Sequence, residues 1–162
     1  MEAENIIYII DVTNRDGVQT SRLGLAKLEK TMLNLYLDEM GVFQSEFGFP
    51  VTRHETNYLN ANLELVELGA MKRIRLSGWM RAIKSDVEQG FKLVPGLKHV
   101  NLSISTSEQM MKGKFMGRYT WDDIIEMMCE AVDTAKKYGA ESIGVNAEDS
   151  SRTELERLIE FG

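Results

Sequence analysis

The stretch Asp11-Val12-Thr13-Asn14-Arg15-Asp16-Gly17-Val18-Gln19 places Asp11, Arg15, Asp16 and Gln19 within nine residues. A turn needs the glycine; it does not need an adjacent Arg–Asp pair. A guanidinium can stabilise negative charge developing on an oxygen, and a neighbouring carboxylate can orient it or bind a cation. Taken alone, the pair reads better as a loop salt bridge. Other groups recur in a similar setting. Glu46 lies inside a strand-like run, where an unpaired buried carboxylate would be costly and so calls for a partner or a functional reason. Arg81 follows Gly78-Trp79-Met80. Thr106 belongs to Ser103-Ile104-Ser105-Thr106-Ser107, and Glu148 to Asn146-Ala147-Glu148-Asp149-Ser150-Ser151-Arg152.

The elements that must position these residues follow from two alternating periods. Ile6-Ile7-Tyr8-Ile9-Ile10 is a continuous apolar run, which predicts a strand buried on both faces. Leu25, Leu28, Met32, Leu35 and Tyr36 recur at helical spacing between Arg22 and Met40, with Gly41 at the C-cap. Strand, helix and strand then repeat. Val42–Phe47 is a strand, and Thr52-Arg53-His54-Glu55 a capping box opening a helix that ends near Gly69. Met71–Ser77 is a third strand, Arg81–Phe91 a shorter helix and His99–Ser103 a fourth strand. After a polar loop, Thr120-Trp121-Asp122-Asp123 opens a helix ended by Gly139. Ser142–Val145 is a fifth strand, and Ser151-Arg152-Thr153-Glu154 a capping box for the last helix. Five strand–helix units predict a parallel α/β architecture. Right-handed crossovers then bring the strands' C-terminal ends to one face. Arg15, Asp16, Gln19, Glu46, Arg81, Thr106 and Glu148 all follow or end strands, so they share that rim.

Composition narrows the function. The chain has 162 residues, 43% of them hydrophobic and 27% charged, which is globular. Its 19 basic and 25 acidic residues give a formal net charge of −6. That balance argues against a phosphate backbone as partner. Cys129 is the single cysteine, so no internal disulfide forms. No apolar run reaches the ~20 residues of a membrane span. Met1-Glu2-Ala3-Glu4-Asn5 is acidic and unlike a secretory signal. The expectation is a cytoplasmic protein that binds neither membrane nor nucleic acid. No Gly-x-Gly-x-x-Gly follows the first strand, and Lys112-Gly113-Lys114 is too short for a Walker motif. Cys129 reads as a structural residue, and the methionines as core filling. Lys112, Lys114 and Arg118 read as a solvated loop or as contacts for a ligand phosphate.

The Asp-x-Thr-x-Arg-Asp-Gly-x-Gln segment resembles the opening motif of the metal-dependent Claisen-condensing acyltransferases: homocitrate, 2-isopropylmalate and citramalate synthases. These share a TIM-barrel catalytic domain with HMG-CoA lyase and related lyases. Glu-Phe-Gly-Phe-Pro at 46–50, Ile-Ser-Thr-Ser at 104–107 and Ala-Glu-Asp-Ser-Ser-Arg-Thr at 147–153 match in the same order. Gly-Trp-Met-Arg at 78–81 and Val100–Ser105 are most similar to nitrogenase-type homocitrate synthase. The resemblance implies condensation of acetyl-CoA with a 2-oxo acid, 2-oxoglutarate giving homocitrate as the first expectation. It implies a divalent metal (Mg, Mn or Zn) that chelates the 2-oxo acid. Asp16 would be one metal ligand. Arg15 would stabilise charge on the keto oxygen or enolate, Glu148 would pair with that arginine and contact substrate, and Gln19 would orient the site. Glu46, Arg81 and Thr106 would be further substrate contacts.

Departures qualify the resemblance. Asn14 stands where leucine is usual and Val18 where glutamate is usual. Trp79 stands about where lysine-pathway enzymes place a substrate-contacting histidine. The family's His-x-His metal pair has no counterpart: His54 lies in the first turn of a helix, and His99 begins a strand at the end away from the rim. At 162 residues the chain is also too short for a closed eight-unit barrel, which takes about 250. The expected fold is therefore α/β, a partial (β/α)8 barrel of about five βα units, with residues 1–162 the N-terminal portion of a catalytic domain. Such a chain is expected to be inactive alone and to need a homo-oligomer or a complementary half-barrel. Three alternatives stay open: 2-isopropylmalate or citramalate synthase chemistry, a carbon–carbon lyase of the HMG-CoA lyase or aldolase type, and a non-catalytic or split-subunit half-barrel.

Overall fold

The computed structural model describes residues 6–162; the acidic stretch Met1–Asn5 lies outside the described residues. Five parallel strands run in the order β1-β2-β3-β4-β5. They are β1 (Ile10–Asp11), β2 (Gln44–Gly48), β3 (Arg75–Arg81), β4 (His99–Ser105) and β5 (Ser142–Glu148). The helices are α1 (Lys27–Met40), α2 (Arg53–Glu67), α3 (Lys84–Leu93), α4 (Glu108–Gly113), α5 (Trp121–Lys137) and α6 (Leu155–Phe161). Sequential strand order never reverses, so right-handed crossovers leave the helices on one side. The sheet curls into a half-barrel, a partial (β/α)8 fold of five βα units.

Alternation along the strands separates two faces. Leu76, Met80, Val100, Leu102 and Ile104 face the helices and join Phe47, Val87, Phe91, Ile124 and Met128 in one core. The opposite, concave face is polar. Asn101 Nδ2 donates to Glu46 Oε1 at 2.6 Å, and Gln44 Nε2 reaches Asn101 Oδ1 at 3.5 Å, both across β3. Gly144 makes room for this row: a Cβ there would lie 2.3 Å from Asn101 Oδ1.

Several boundaries differ from the sequence expectation. Of the first apolar run only Ile10 pairs with β2, followed by Asp11. Ile6, Ile7, Tyr8, Ile9 and Ile10 are exposed rather than buried on both faces. Among the described residues β1 has a single neighbouring strand, and burial on two faces needs layers on both. Helix α1 starts at Lys27 instead of Arg22, which has a left-handed φ of 67°. Strand β3 starts at Arg75 because the Asp38 carboxylate captures the N–H groups of Lys72, Arg73 and Ile74 at 2.6–3.0 Å. It then continues to Arg81, which delays α3 to Lys84.

Of the three helix-start motifs, Thr120–Asp123 forms a reciprocal capping box. Thr52 does begin α2, but Glu55 is engaged by Phe49 N–H at 2.8 Å and Lys30 Nζ at 2.6 Å. Ser150–Arg152 form a single 3-10 turn, and α6 begins only after Glu154. Gly41 and Gly139 end α1 and α5 with φ of 76° and 87°, as their positions predict. Met71, Met80 and Met128 are core residues, whereas Met32, Met40 and Met116 are exposed. Cys129 is exposed rather than packed. Among the described residues no helix is long and apolar enough to cross a membrane.

Candidate active site

The loop after β1 is shaped by its own side chains. Asp11 accepts from Thr13 N–H at 3.0 Å and Thr13 Oγ1 at 2.9 Å, an Asx turn. The N–H groups of Arg15, Asp16 and Gly17 converge on the Val12 carbonyl at 2.8–3.2 Å. Within this turn Asn14 points inward and is fully buried. Its Nδ2 donates to the Lys30 carbonyl and to Asn34 Oδ1, both at 2.9 Å. Asn34 donates in turn to Tyr58 and Asn62 and accepts from Ser45. A buried polar network thus ties the loop to α1, β2 and α2, and leaves Arg15 and Asp16 over the strand ends. Tyr58 is pushed well above the ordinary phenol range by burial, so it serves this network as a neutral hydroxyl.

Arg15 is held on three sides. Nε and Nη2 lie 3.0 and 2.9 Å from Glu46 Oε2, and Nη1 lies 2.8 Å from Asp16 Oδ1. The Trp79 ring stacks on the guanidinium, its centroid 4.7 Å away. These contacts use three of the five N–H groups, leaving one on each terminal nitrogen. Glu46 is 5% exposed, and its charge is satisfied by Arg15 on one oxygen and Asn101 on the other.

Glu148 stands opposite, at the end of β5. Its Oε2 accepts from Ser105 Oγ and, at 2.6 Å, from Lys114 Nζ. Burial raises its pKa, but the hydrogen bonds from Lys114 and Ser105 and the Lys114 charge outweigh this and hold it below the ordinary carboxylate range.

Arg15, Asp16, Glu46, Trp79 and Glu148 line one cleft of about 360 Å³, together with Val12, Ser103 and Asn146. Gln19 and Arg81 line an adjoining cleft of about 540 Å³ that also meets Arg15 and Trp79. Arg81 is already bound by both oxygens of Asp86, at 2.6 and 2.9 Å. Thr106 is fully buried; its hydroxyl meets Thr153 Oγ1 at 2.7 Å and the Glu148 carbonyl at 3.3 Å, so it braces the rim from beneath. Arg15 pairs with Glu46, while Glu148 pairs with Lys114.

Sequence reasoning passed over Trp79 as the platform for Arg15, and over Asn101 and Ser105; it singled out Lys114 but not as the partner of Glu148. The available signal was the alternation Asn101-x-Ser103-x-Ser105 on a strand otherwise apolar. His54 is exposed in the first turn of α2 but lines the larger cleft. His99 lies at the far end of β4 with Nδ1 2.8 Å from Ser142 Oγ. Burial lowers its pKa, and the nearby Arg75 charge lowers it further.

Among the described residues no group of three or more His, Cys, Asp or Glu is placed to hold a metal ion. Asp16 offers one exposed carboxylate, with one oxygen on Arg15. One carboxylate does not fix a divalent ion in a defined geometry, so these residues do not make a metal site by themselves.

The family model described as HMGL-like matches residues 6–162. The chain belongs to the HMGL-like family. Among its relatives, the citrate (Re)-synthase of Dehalococcoides mccartyi is 65% identical over 156 residues, covering 96% of this chain and 38% of that protein. A 2-isopropylmalate synthase of Caldanaerobacter subterraneus is 37% identical over 155 residues, 96% of this chain and 38% of its own length. The homocitrate synthase AksA of Methanocaldococcus jannaschii is 33% identical over 153 residues, 94% of this chain and 36% of its own length. The chain thus spans well under half the length of these HMGL-like synthases. The crystal structure of Bacillus subtilis HMG-CoA lyase superposes with a TM-score of 0.65 at 16% identity, over 96% of this chain and 52% of that one. This last likeness concerns the fold alone and agrees with a partial barrel.

Proposed function

We propose that residues 1–162 are the N-terminal portion of the TIM-barrel catalytic domain of an acyltransferase that condenses acetyl-CoA with a 2-oxo acid. The observation that carries this reading is the convergence of Arg15, Asp16, Glu46 and Glu148 on one rim cleft of a half-barrel whose relatives are named as synthases. In the reaction the acetyl methyl group loses a proton and its carbon attacks the keto carbon. The keto oxygen becomes a hydroxyl, and water then cleaves the thioester, releasing CoA. The two unused N–H groups of Arg15 would receive the keto oxygen as it gains charge. Glu46 and Trp79 fix the guanidinium, so no reorganisation is required when that charge appears. Glu148 would contribute a negative acceptor across the cleft, and the bound acid would extend toward the adjoining cleft that Gln19 and Arg81 line. Asp16 would be one ligand of a divalent ion whose other ligands lie outside the described residues.

The 65% identity to a protein named citrate (Re)-synthase moves the preferred 2-oxo acid from 2-oxoglutarate to oxaloacetate, with citrate as product. Edge strands β1 and β5 would be covered by the remaining barrel units or by another half-barrel. The one cysteine fits a reducing compartment, and we place the enzyme in the cytoplasm. The test is CoA release by the full-length enzyme with acetyl-CoA and oxaloacetate, 2-oxoglutarate, 2-oxoisovalerate or pyruvate. Oxaloacetate should give the highest kcat/KM. No release with any acid would overturn the condensing reading, and a preference for 2-oxoglutarate would overturn only the choice of acid.

A further inference from the structure

Glu148 is held by a residue outside the strands. Helix α4 leaves the end of β4, and its C-cap residue, Lys114, turns back over the rim. Lys114 Nζ lies 2.6 Å from Glu148 Oε2 and 2.9 Å from Ser105 Oγ, while Ser105 Oγ itself donates to Glu148 Oε2. Ammonium, hydroxyl and carboxylate thus form a closed three-membered set. The turn that delivers Lys114 is pinned to the same place. Ser107 Oγ caps α4 by accepting from Met110 N–H at 3.2 Å and donates to Asp149, the residue after Glu148. The Lys114 and Glu148 side chains are 44% and 41% exposed, so as an ion pair they carry little stability, and the contact matters for where it holds the carboxylate. Here the pair shares a fully buried hydroxyl and stands at the cleft that also holds Arg15.

We infer that Lys114 is a positioning residue for Glu148: with Ser105 it fixes Oε2 on the β4–β5 rim and leaves Oε1 for the cleft. This rests on the condensing activity proposed above, and it replaces a CoA-phosphate role for this lysine. Glu148 faces Lys114 from the end of α4, its neighbour Asp149, Arg15 and Asp16 from the β1 loop, Glu46 from β2 and Arg81 from β3. Among the described residues Lys114 is the cation in direct contact with it, so its removal dominates any change in the Glu148 titration.

The test compares full-length wild type, Lys114→Met and Lys114→Arg. CoA release is measured across pH, and Glu148 is followed by carboxylate carbon NMR, assigned through Glu148→Gln. Lys114→Met should lower kcat about tenfold or more with KM for acetyl-CoA within about twofold. It should also move both the Glu148 titration and the acid limb of the rate profile to higher pH. Lys114→Arg should restore most of kcat, because it returns the cation. A raised KM for acetyl-CoA at unchanged kcat would overturn the inference in favour of CoA binding. An unmoved Glu148 titration would overturn it in any case. Wild type that releases no CoA would instead refute the condensing activity, and the Glu148 titration would still decide whether Lys114 controls this carboxylate.

Discussion

Replacing Arg15 by methionine should destabilise the protein far more than a loop substitution does, and a second substitution at Glu46 should reverse most of the loss. Glu46 is 5% exposed and takes two guanidinium contacts from Arg15 at 2.9 and 3.0 Å. Stripping one partner from a buried pair costs about 3–5 kcal/mol, because the remaining charge stays desolvated. Asn101 still donates to Glu46 at 2.6 Å and offsets about 1 kcal/mol. Arg15→Met should therefore cost about 2–4 kcal/mol. Glu46→Leu alone should cost less, because Arg15 keeps Asp16 and Trp79 and has a path to water. The double variant, in which no charge is left buried, should fall about 1 kcal/mol below wild type, the remainder coming from the Asn101 amide left without its Glu46 acceptor. Urea melts of the full-length protein at neutral pH, read at constant m-value, give all four corners of the cycle. Activity should follow a different order: Arg15→Met and the double variant should both lose CoA release. An Arg15→Met cost below about 1 kcal/mol, or a double variant as unstable as the sum of the singles, would refute the view that this arginine neutralises a buried carboxylate.

Three further outcomes follow from individual contacts. Burial raises the Asp38 pKa, but three backbone N–H bonds and the Arg73 charge more than compensate, so its folded value lies below the ordinary one. That stabilisation is complete above the unfolded pKa of about 3.9 and is lost as pH falls through the folded value. Asp38→Ala should thus cost about 1.5–3 kcal/mol at neutral pH, with the gap to wild type closing below about pH 4 in urea melts. Gly144→Ala should cost about 1–3 kcal/mol by driving Asn101 off Glu46, and much less in an Asn101→Ala background; equal costs in both would refute the contact. The isolated 162-residue chain, with Ile6 to Ile10 exposed beside an open strand edge, should show concentration-dependent association in sedimentation. A monomer with a two-state melt would count against that.

Much of the helical frame was legible because its signals are local. Gly41 and Gly139 mark helix ends that only a left-handed residue can make, and the Thr120–Asp123 box closes within four residues. The failures involve long-range competition. Glu55 has the spacing of a capping partner, yet Lys30, 25 residues earlier, and the Phe49 N–H take its carboxylate first. The start of β3 is set by Asp38, more than thirty residues away, and no window around Met71 contains that information. The same holds at the site. The Arg15–Asp16 motif announced itself, but which carboxylate pairs with Arg15 depends on sheet order: β2 lies beside β1, while β5 lies at the far edge.

The polar residues inside the strands are best explained by where the concave face leads. A strand covered by helices on one side and by solvent alone on the other needs only scattered polar residues outward. Here Gln44, Glu46, Asn101 and Ser105 are buried, and they bond to one another or to rim groups. Each buried polar group must be satisfied, so such a row is a costly choice for a surface and a useful one for a floor. Asn101 fixes Glu46, which fixes Arg15; Ser105 fixes Glu148. The inner face therefore transmits the rigidity of the sheet to the two charged groups that face each other across the cleft. Substituting Asn101 by leucine would keep the volume close and still leave a Glu46 oxygen without a donor. It should consequently impair the site more than a core truncation of similar stability cost on the helix-facing side, such as Val100→Ala.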